Sequence, residues 1–219
     1  MKIYNQITDK IEELPKEIND NGIVKLSKIL SDEDKIRLGY CPIKYLPKPD
    51  QRYYTYTENK EIVENIYTIS YIPVERDLDI VKKEMIQRLS DSFKKVTKRP
   101  KVPTSLGFTV DGGREDLQNF ELGKKYQIES VVDAGDQVHT ISPETDYDTI
   151  ITEIELYGIN LWQKKQLKKQ TIMGFTTIQE CIDYEHYEYE EEVDVLDENG
   201  EPTGETKIVT KYKSLIDEW

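Results

Sequence analysis

The sequence predicts an α+β fold from three observations. A run rich in tyrosine and threonine at 52–74 favours paired strands, because these residue types are enriched in sheets. The next run, 77–99, places apolar residues at helical spacing, and the stretch 187–213 consists of two strand-like runs around a turn. We therefore expect, in chain order, a short helical N-terminal region, a β-hairpin, a long amphipathic helix, a small helix/hairpin C-terminal domain and a terminal acidic β-hairpin.

The N-terminal region is expected to contain short helical or irregular pieces. Residues 9–18 show a weak periodicity that a proline interrupts. Ser31 is followed by three acidic residues, a pattern typical of a helix start, with the serine as cap and the acids favoured by the helix dipole. Gly39 and the prolines after it keep this helix short and predict an extended connector over 41–50.

The tyrosine-rich run is expected to form a β-hairpin. Strand formers occupy 52–57, the sequence at 58–60 is a plausible turn, and the strand pattern resumes over 62–74. Both faces of the second strand carry apolar side chains, and neither face is cleanly polar. We therefore expect a helix to cover one face of the hairpin and a partner to cover the other.

The segment 77–99 gives the clearest helical pattern. Asp77 or Asp79 can cap its start, and the prolines at 100 and 103 end it and bracket a short linker. Its apolar residues recur every three or four positions, which places them on one stripe of a helix. The stripe consists of Leu78, Val81, Met85, Leu89, Phe93 and Val96.

The following segment mixes short strands and helices. An extended piece at 106–110 leads through a glycine turn into a predicted helix over 114–126. A second hairpin is predicted at 131–141, with its turn at 133–136.

A longer helix is expected over 145–170. Ser142 and Pro143 are predicted to start it, with serine as cap and proline in the first turn. Gly158 lies in its interior at a cost of about 1 kcal/mol relative to alanine, which favours a close approach of another backbone. The apolar stripe of this helix consists of Tyr147, Ile150, Ile154, Tyr157 and Leu161.

The order of motifs from 105 to 184 resembles a known family. The motifs are 106–111, 132–139, Tyr157–Gly158, 163–165 and 172–178. In this order they resemble a domain of unassigned function found in tail-fibre and other tail-associated proteins of tailed bacteriophages. Members of that family carry the domain near a fibre's end or in a short tail protein, so the resemblance implies interaction and not catalysis. The chain departs from the pattern by its acidic 185–219 extension and by showing no fibre repeat.

The acidic extension is predicted to be a hairpin around a turn at 197–204. Acidic residues between 185 and 194 are expected to face Lys207, Lys211 and Lys213 across it. An isolated hairpin is marginal in water, so we expect a partner subunit to hold this end of the chain.

Charge is concentrated in the same region. Residues 181–219 contain 13 acidic residues and three lysines, so −10 of the net charge of −13 lies there. A negative field repels phosphate, and nucleic acid is not an expected partner. Two interpretations stay open: a solvated acidic face, or a docking surface for a basic partner.

Tyrosine is common, with 15 residues against four phenylalanines. It suits half-buried surfaces such as interfaces, although exposed strand faces are an alternative explanation. A basic patch at 164–169 either complements a helix dipole or contacts the acidic hairpin of a neighbouring copy. The candidate interface residues are Tyr53, Tyr54, Tyr56, Tyr67, Tyr71, Tyr157, Trp162, Lys164, Lys165, Lys168, Tyr187, Tyr189 and Trp219.

The sequence shows no catalytic, cofactor or metal motif. Cys41 and Cys181 are far apart, and with two histidines they form no set of zinc-ligand spacing. His139 and His186 lie in no local motif with a nucleophile, and no phosphate-binding loop is present. Reduced thiols and a cytosolic origin are expected. The sequence has no signal peptide and no apolar run of about 20 residues, so no membrane contact is expected.

Together these observations predict four regions: 1–76 with the hairpin, the helix 77–99, the tail-associated domain 104–184 and the acidic hairpin 185–219. The expected function is that of a structural virion protein in a phage tail. It would act as an adaptor or accessory subunit at the baseplate or the fibre attachment point, present in several copies and bound to other tail or fibre proteins. We expect it in the host cytoplasm during assembly and then in the virion.

Two other functions stay open. One is a tail-fibre assembly chaperone that is absent from the mature particle. The other is a tail enzyme acting on polysaccharide, which needs two carboxylates at a defined separation in a cleft.

Overall fold

The chain divides into two units, Met1–Arg76 and Asp77–Trp219. The computed structural model describes residues 1–196 and 202–219. Helices and strands both contribute to the structure, so the predicted α+β class is confirmed.

The first unit begins with strands and not with helices. Strand β1 (Lys2–Asn5) pairs antiparallel with β2 (Lys10–Glu13), and β5 (Tyr40–Cys41) pairs with the other edge of β1. The prediction of a short helical N-terminal region is therefore wrong here. These strands are only two to four residues long, and so short a run shows little periodicity in sequence.

A second small hairpin follows. Strand β3 (Glu17–Asp20) pairs antiparallel with β4 (Ile23–Leu26). Between them Asn21 and Gly22 adopt positive φ angles of 53° and 87°. An Asn-Gly pair is the favoured two-residue hairpin turn, because both positions need positive φ. The sequence therefore contained a signal for this hairpin that our prediction missed.

The predicted short helix is confirmed as α1 (Asp32–Arg37), whose N-cap Ser31 accepts a hydrogen bond from the Asp34 amide. The stretch 41–50 is extended, as predicted, but part of it belongs to sheets. Strand β6 (Ile43–Tyr45) pairs with a later strand in parallel.

The tyrosine-rich hairpin is confirmed, but its turn is displaced. Strands β7 (Tyr54–Val63) and β8 (Ile66–Glu75) pair antiparallel along their whole length, straight through the predicted turn at 58–60. The chain turns instead at Glu64 and Asn65, whose φ angles are 51° and 63°. Strand β8 is central in the sheet, between β6 and β7.

Strands, and not a helix, cover the buried face of this hairpin. Tyr67 and Ile69 of β8 form a buried cluster with Tyr4 of β1 and Cys41 of β5. The Tyr4 and Tyr67 rings stack with centroids 3.7 Å apart and planes 8° apart. The Tyr4 hydroxyl also donates a hydrogen bond to Asp9, which is the main reason that the pKa of Tyr4 rises to about 12.

Acid is expected to weaken the first unit through Asp20. Its nearly buried carboxylate lies 2.9 Å from both Arg37 Nη2 and Lys25 Nζ, and these hydrogen bonds, Arg37 first, hold the pKa of Asp20 well below its usual value of about 3.9. A pKa that is lower in the folded state means that the stabilisation is complete above the unfolded-state pKa and is lost as the pH falls below it.

Urea unfolding of the full chain from pH 7 to pH 2.5 tests this prediction. The midpoint should fall steeply below about pH 4 in the wild type and less steeply in Asp20→Asn, which lacks the titrating group. Equal pH dependence in the two proteins would contradict the assignment.

The second unit begins with the predicted long helix, confirmed as α2 (Leu78–Lys98). Asp77 caps it by accepting a hydrogen bond from the Ile80 amide. The predicted stripe is buried or half-buried at every position, and Val81, Met85 and Leu89 are at most 1% exposed. The stripe faces α4 (Asp146–Gly174) and α5 (Ile178–Glu185).

The predicted linker at 100–103 is wrong, because Lys101–Pro103 is strand β9 and pairs antiparallel with β10 (Thr109–Asp111). The predicted helix is confirmed as α3 (Arg114–Lys125). The predicted hairpin is confirmed as β11 (Ser130–Val132) and β12 (Val138–Thr140). The buried cluster that these elements share with α4 consists of Val102, Val110, Val131, Ile141, Tyr147, Ile150 and Ile154.

Helix α4 was predicted over 145–170, but it runs over Asp146–Gly174. Ser142 does not cap it: the Ser142 amide donates to the Asp146 carboxylate, and the helix begins after Thr145. The predicted stripe is confirmed, since four of its five side chains are buried and Tyr157 is half-buried. The expected backbone approach at Gly158 is wrong, because a Cβ there would meet no described atom within 4 Å.

The acidic hairpin is confirmed as β13 (Tyr187–Leu196) and β14 (Pro202–Lys213), which pair antiparallel. Residues 197–201 of its predicted turn lie outside the described residues. Among the described side chains, the expected cross-strand attraction occurs between Glu191 and Lys211, whereas Lys213 pairs with Glu218 at 2.6 Å.

The segment that follows the hairpin, residues 214–219, packs against its own chain, and the expected partner subunit at the hairpin stays a prediction. The Leu215 amide donates to the Tyr184 carbonyl, and Ile216 is 2% exposed. The Trp219 indole donates to Ser92 Oγ at 2.9 Å, and its ring lies against Phe93 of α2.

Candidate protein-interaction surface

Helix α4 carries apolar side chains on two opposite sides. The side facing the core is 5% exposed or less at Tyr147, Ile150, Ile154, Leu161 and Ile172. The side facing away from the core carries exposed apolar side chains, and we call it the outer face of α4. It consists of Leu156, Ile159, Trp162, Leu167 and Met173, which are 51–63% exposed.

A helix that is apolar all round is normally buried. No residue that the structure describes buries the outer face of α4, since all five of these side chains are more than half exposed. Single exposed apolar residues are normal, but several of them on one side of a helix favour an interaction site. The outer face of α4 is therefore the strongest candidate surface in this unit.

The outer face is shallow and gives no enclosed ligand site. One depression is lined by Glu155, Gly158, Ile159 and Trp162 and is open to solvent. An apolar strip with shallow depressions suits another protein surface better than a small molecule, which prefers a deep cleft.

The basic patch on α4 makes contacts within its own chain. Lys168 Nζ donates to the carbonyl oxygens of Leu215 and Glu218 and lies 4.7 Å from the Trp219 ring. Lys165 Nζ lies 4.5 Å from the Phe93 ring, while Lys164 is exposed. Burial beneath the 214–219 segment lowers the pKa of Lys168.

The helix-dipole explanation does not fit Lys165 and Lys168. The last turn of α4 carries no basic residue, and the dipole effect fades within one turn. Contact with a neighbouring copy is not needed for these two lysines, because their partners are α2 and the 214–219 segment.

The remaining candidates of the second unit are partly exposed. Trp162 is 54% exposed on the outer face of α4, whereas Tyr157 and Trp219 are half-buried. On the acidic hairpin, Tyr187 is 45% exposed and Tyr189 is half-buried. Lys213 Nζ lies 5.7 Å and 5.0 Å from these two rings.

The tyrosine candidates of the first unit fall into two groups. Tyr53 and Tyr67 are buried at 1% and 8% exposure, and Tyr67 packs in the cluster with Tyr4, Cys41 and Ile69. Tyr54, Tyr56 and Tyr71 are half-buried. Tyr56 and Tyr71 meet edge to face at 4.9 Å, and Lys48 Nζ lies 5.1 Å and 5.3 Å from their rings.

A polar cleft lies beside α3, and the sequence did not predict it. Arg99 reaches Asp111 and Asp116, and His139 Nε2 lies 2.8 Å from Asp133 Oδ2. The hydrogen bond with His139 is the main reason that the pKa of Asp133 lies below its usual range. Lys101 Nζ approaches Asp111 Oδ1 at 2.8 Å without hydrogen-bond geometry. The lowered pKa of Asp133 does not suit a general acid, which needs a raised pKa.

Two other kinds of site are absent from the residues that the structure describes. They contain no group of three or more side chains placed to hold a metal ion. None of their helices combines the length and apolarity needed to cross a bilayer.

The outer face of α4 was largely missed by sequence reasoning, which found only Trp162. The sequence-based prediction considered only one apolar stripe of this helix. The signal it passed over was the presence of apolar residues at 156, 159, 167 and 173, outside that stripe. A helix with two apolar sides indicates two partners.

Comparison with known proteins adds no family assignment. No protein-family model matches the chain, and neither a curated protein nor a solved structure matches it.

Proposed function

We propose that this chain is a structural component of a phage tail, an adaptor or accessory subunit that acts through protein–protein contacts. The observation that carries the proposal is the outer face of α4, where apolar side chains more than half exposed run along the helix. Covering such a strip releases ordered water and stabilises a complex.

The acidic hairpin supplies a second surface of different character. Glu188, Glu190 and Glu192 are exposed on β13, on the same side as Tyr212, which is 65% exposed. Carboxylates around an aromatic ring suit a basic partner, since electrostatic complementarity guides association and sets specificity.

Placement in a phage tail rests on the resemblance of residues 105–184 to the domain of tail-associated proteins. In the fold this segment includes β10, α3, the β11–β12 hairpin, α4 and most of α5. An adaptor or accessory role at the baseplate or the fibre attachment point fits a chain whose exposed surfaces are suited to other proteins.

Mass spectrometry of purified particles of the tailed phage that encodes the chain tests the proposal. We expect the chain in a fixed ratio to the tail proteins through successive density gradients. Its presence in the infected cell together with its absence from purified particles would contradict the proposal and favour an assembly chaperone. An unrelated cytoplasmic protein of the host is the control for carry-over.

A further inference from the structure

The outer face of α4 has charges arranged for pairing with a second copy of itself. One line of residues on this side includes three of its five exposed apolar side chains, and its members follow one another at spacings of four, three, four, three and four, a heptad pattern that keeps them on one line of the helix. They are Glu155, Ile159, Trp162, Gln166, Lys169 and Met173.

This line contains one acid and one base. Glu155 and Lys169 are both exposed, and neither forms an ion pair with any residue that the structure describes. Trp162 lies midway between them in sequence, seven residues from each. At a rise of about 1.5 Å per residue the two charges are roughly 21 Å apart along the axis.

We propose that two copies of the chain pair through the outer faces of α4 in antiparallel orientation, about a two-fold axis that passes through Trp162. That axis places Glu155 of each copy opposite Lys169 of the other, which gives two ion pairs at the ends of the contact. It also places the two Trp162 rings together at the centre, where interface energy is usually concentrated.

The same axis brings Gly158 of α4 into the contact. Gly158 falls opposite Gln166 of the second copy, and a Cβ at Gly158 would meet no described atom within 4 Å. The gap accommodates the longer glutamine side chain, so the helices can approach closely.

A parallel pair does not fit these charges. In register, it would set Glu155 against Glu155 and Lys169 against Lys169, and like charges across an interface are unfavourable. A two-fold antiparallel pair also closes on itself, because both copies present the same surface. The charge pattern thus favours a second copy of the chain in antiparallel orientation.

This contact is one that the proposed function can use, but its test needs only the purified chain. Sedimentation equilibrium at about 5–200 µM, in low salt, should show a reversible dimer. Glu155→Lys and Lys169→Glu, each alone, should raise the dissociation constant at least about tenfold, because each replaces two attractions with two repulsions.

The double variant Glu155→Lys/Lys169→Glu is the decisive arm. It restores opposite charges across an antiparallel pair, so its dissociation constant should return to within about threefold of the wild type. Circular dichroism confirms that each variant folds, and Trp162→Ser should abolish the dimer because it removes the central ring.

Three results would overturn the inference: a monomer at every concentration, a dimer that is indifferent to the single reversals, or a double variant as weak as the singles. Each of them leaves the tail proposal standing, since the chain can still be found in particles and bind a different tail protein. A dimer in solution combined with absence from particles would contradict the tail proposal alone.

Discussion

Replacing Arg88 by leucine is expected to lower the free energy of unfolding of the second unit by about 3 kcal/mol, the lower end of the range for breaking a buried ion pair. The Glu185 side chain is 3% exposed, and its oxygens accept hydrogen bonds from Arg88 Nε at 2.8 Å and Nη2 at 3.0 Å. The variant removes the guanidinium from beside a buried carboxylate. The Arg88 side chain is 36% exposed, so water can partly replace it, which keeps the loss at the lower end.

Urea unfolding at pH 7 measures this effect, and the double variant Arg88→Leu/Glu185→Leu is the control. Arg88→Leu/Glu185→Leu should be clearly more stable than Arg88→Leu, because the double variant leaves no buried charge behind. Equal free energies of unfolding for the two variants would contradict the expected cost of leaving the Glu185 charge buried.

The two interior helix glycines Gly123 and Gly158 should respond to alanine with opposite signs. A Cβ at Gly123 would lie 2.5 Å from Tyr147 Oη and 2.6 Å from Cζ. Tyr147 is 2% exposed and packed in the core, so it cannot move aside freely. Gly123→Ala should therefore lose about 2 kcal/mol through overpacking, despite the helix preference of alanine.

Gly158→Ala is the matched control. No described atom lies within 4 Å of its Cβ position, so the substitution should stabilise the chain by about 1 kcal/mol. Unfolding must be measured in dilute protein, where self-association does not contribute. A gain at both positions would contradict the packing of Tyr147 on α3.

Local patterns predicted those elements whose signals are complete within a short stretch. Helix α2 has its cap at Asp77 and an apolar stripe over five turns, so its bounds and buried side follow directly. The N-terminal strands were missed because each has at most four residues and depends on a neighbour for its hydrogen bonds. Pairing between strands is a tertiary event that propensity describes poorly.

The candidate site was only partly accessible from sequence for a related reason. Trp162 was found as a large aromatic residue, but whether it is exposed depends on which side of α4 faces the core. The position of Lys168 against Trp219 was inaccessible, because the two residues are far apart in sequence and meet only through folding. Contacts of that kind leave no periodic signal in the chain.

Electron cryomicroscopy of the intact tail tests the central claim most directly, since that claim is that other polypeptides cover this chain. We expect density for the chain at fixed positions in the tail, with a second copy or another tail protein seated over Ile159 and Trp162 of the outer face of α4. A fully interpreted tail that lacks the chain, or that leaves this face open to solvent, would contradict the account.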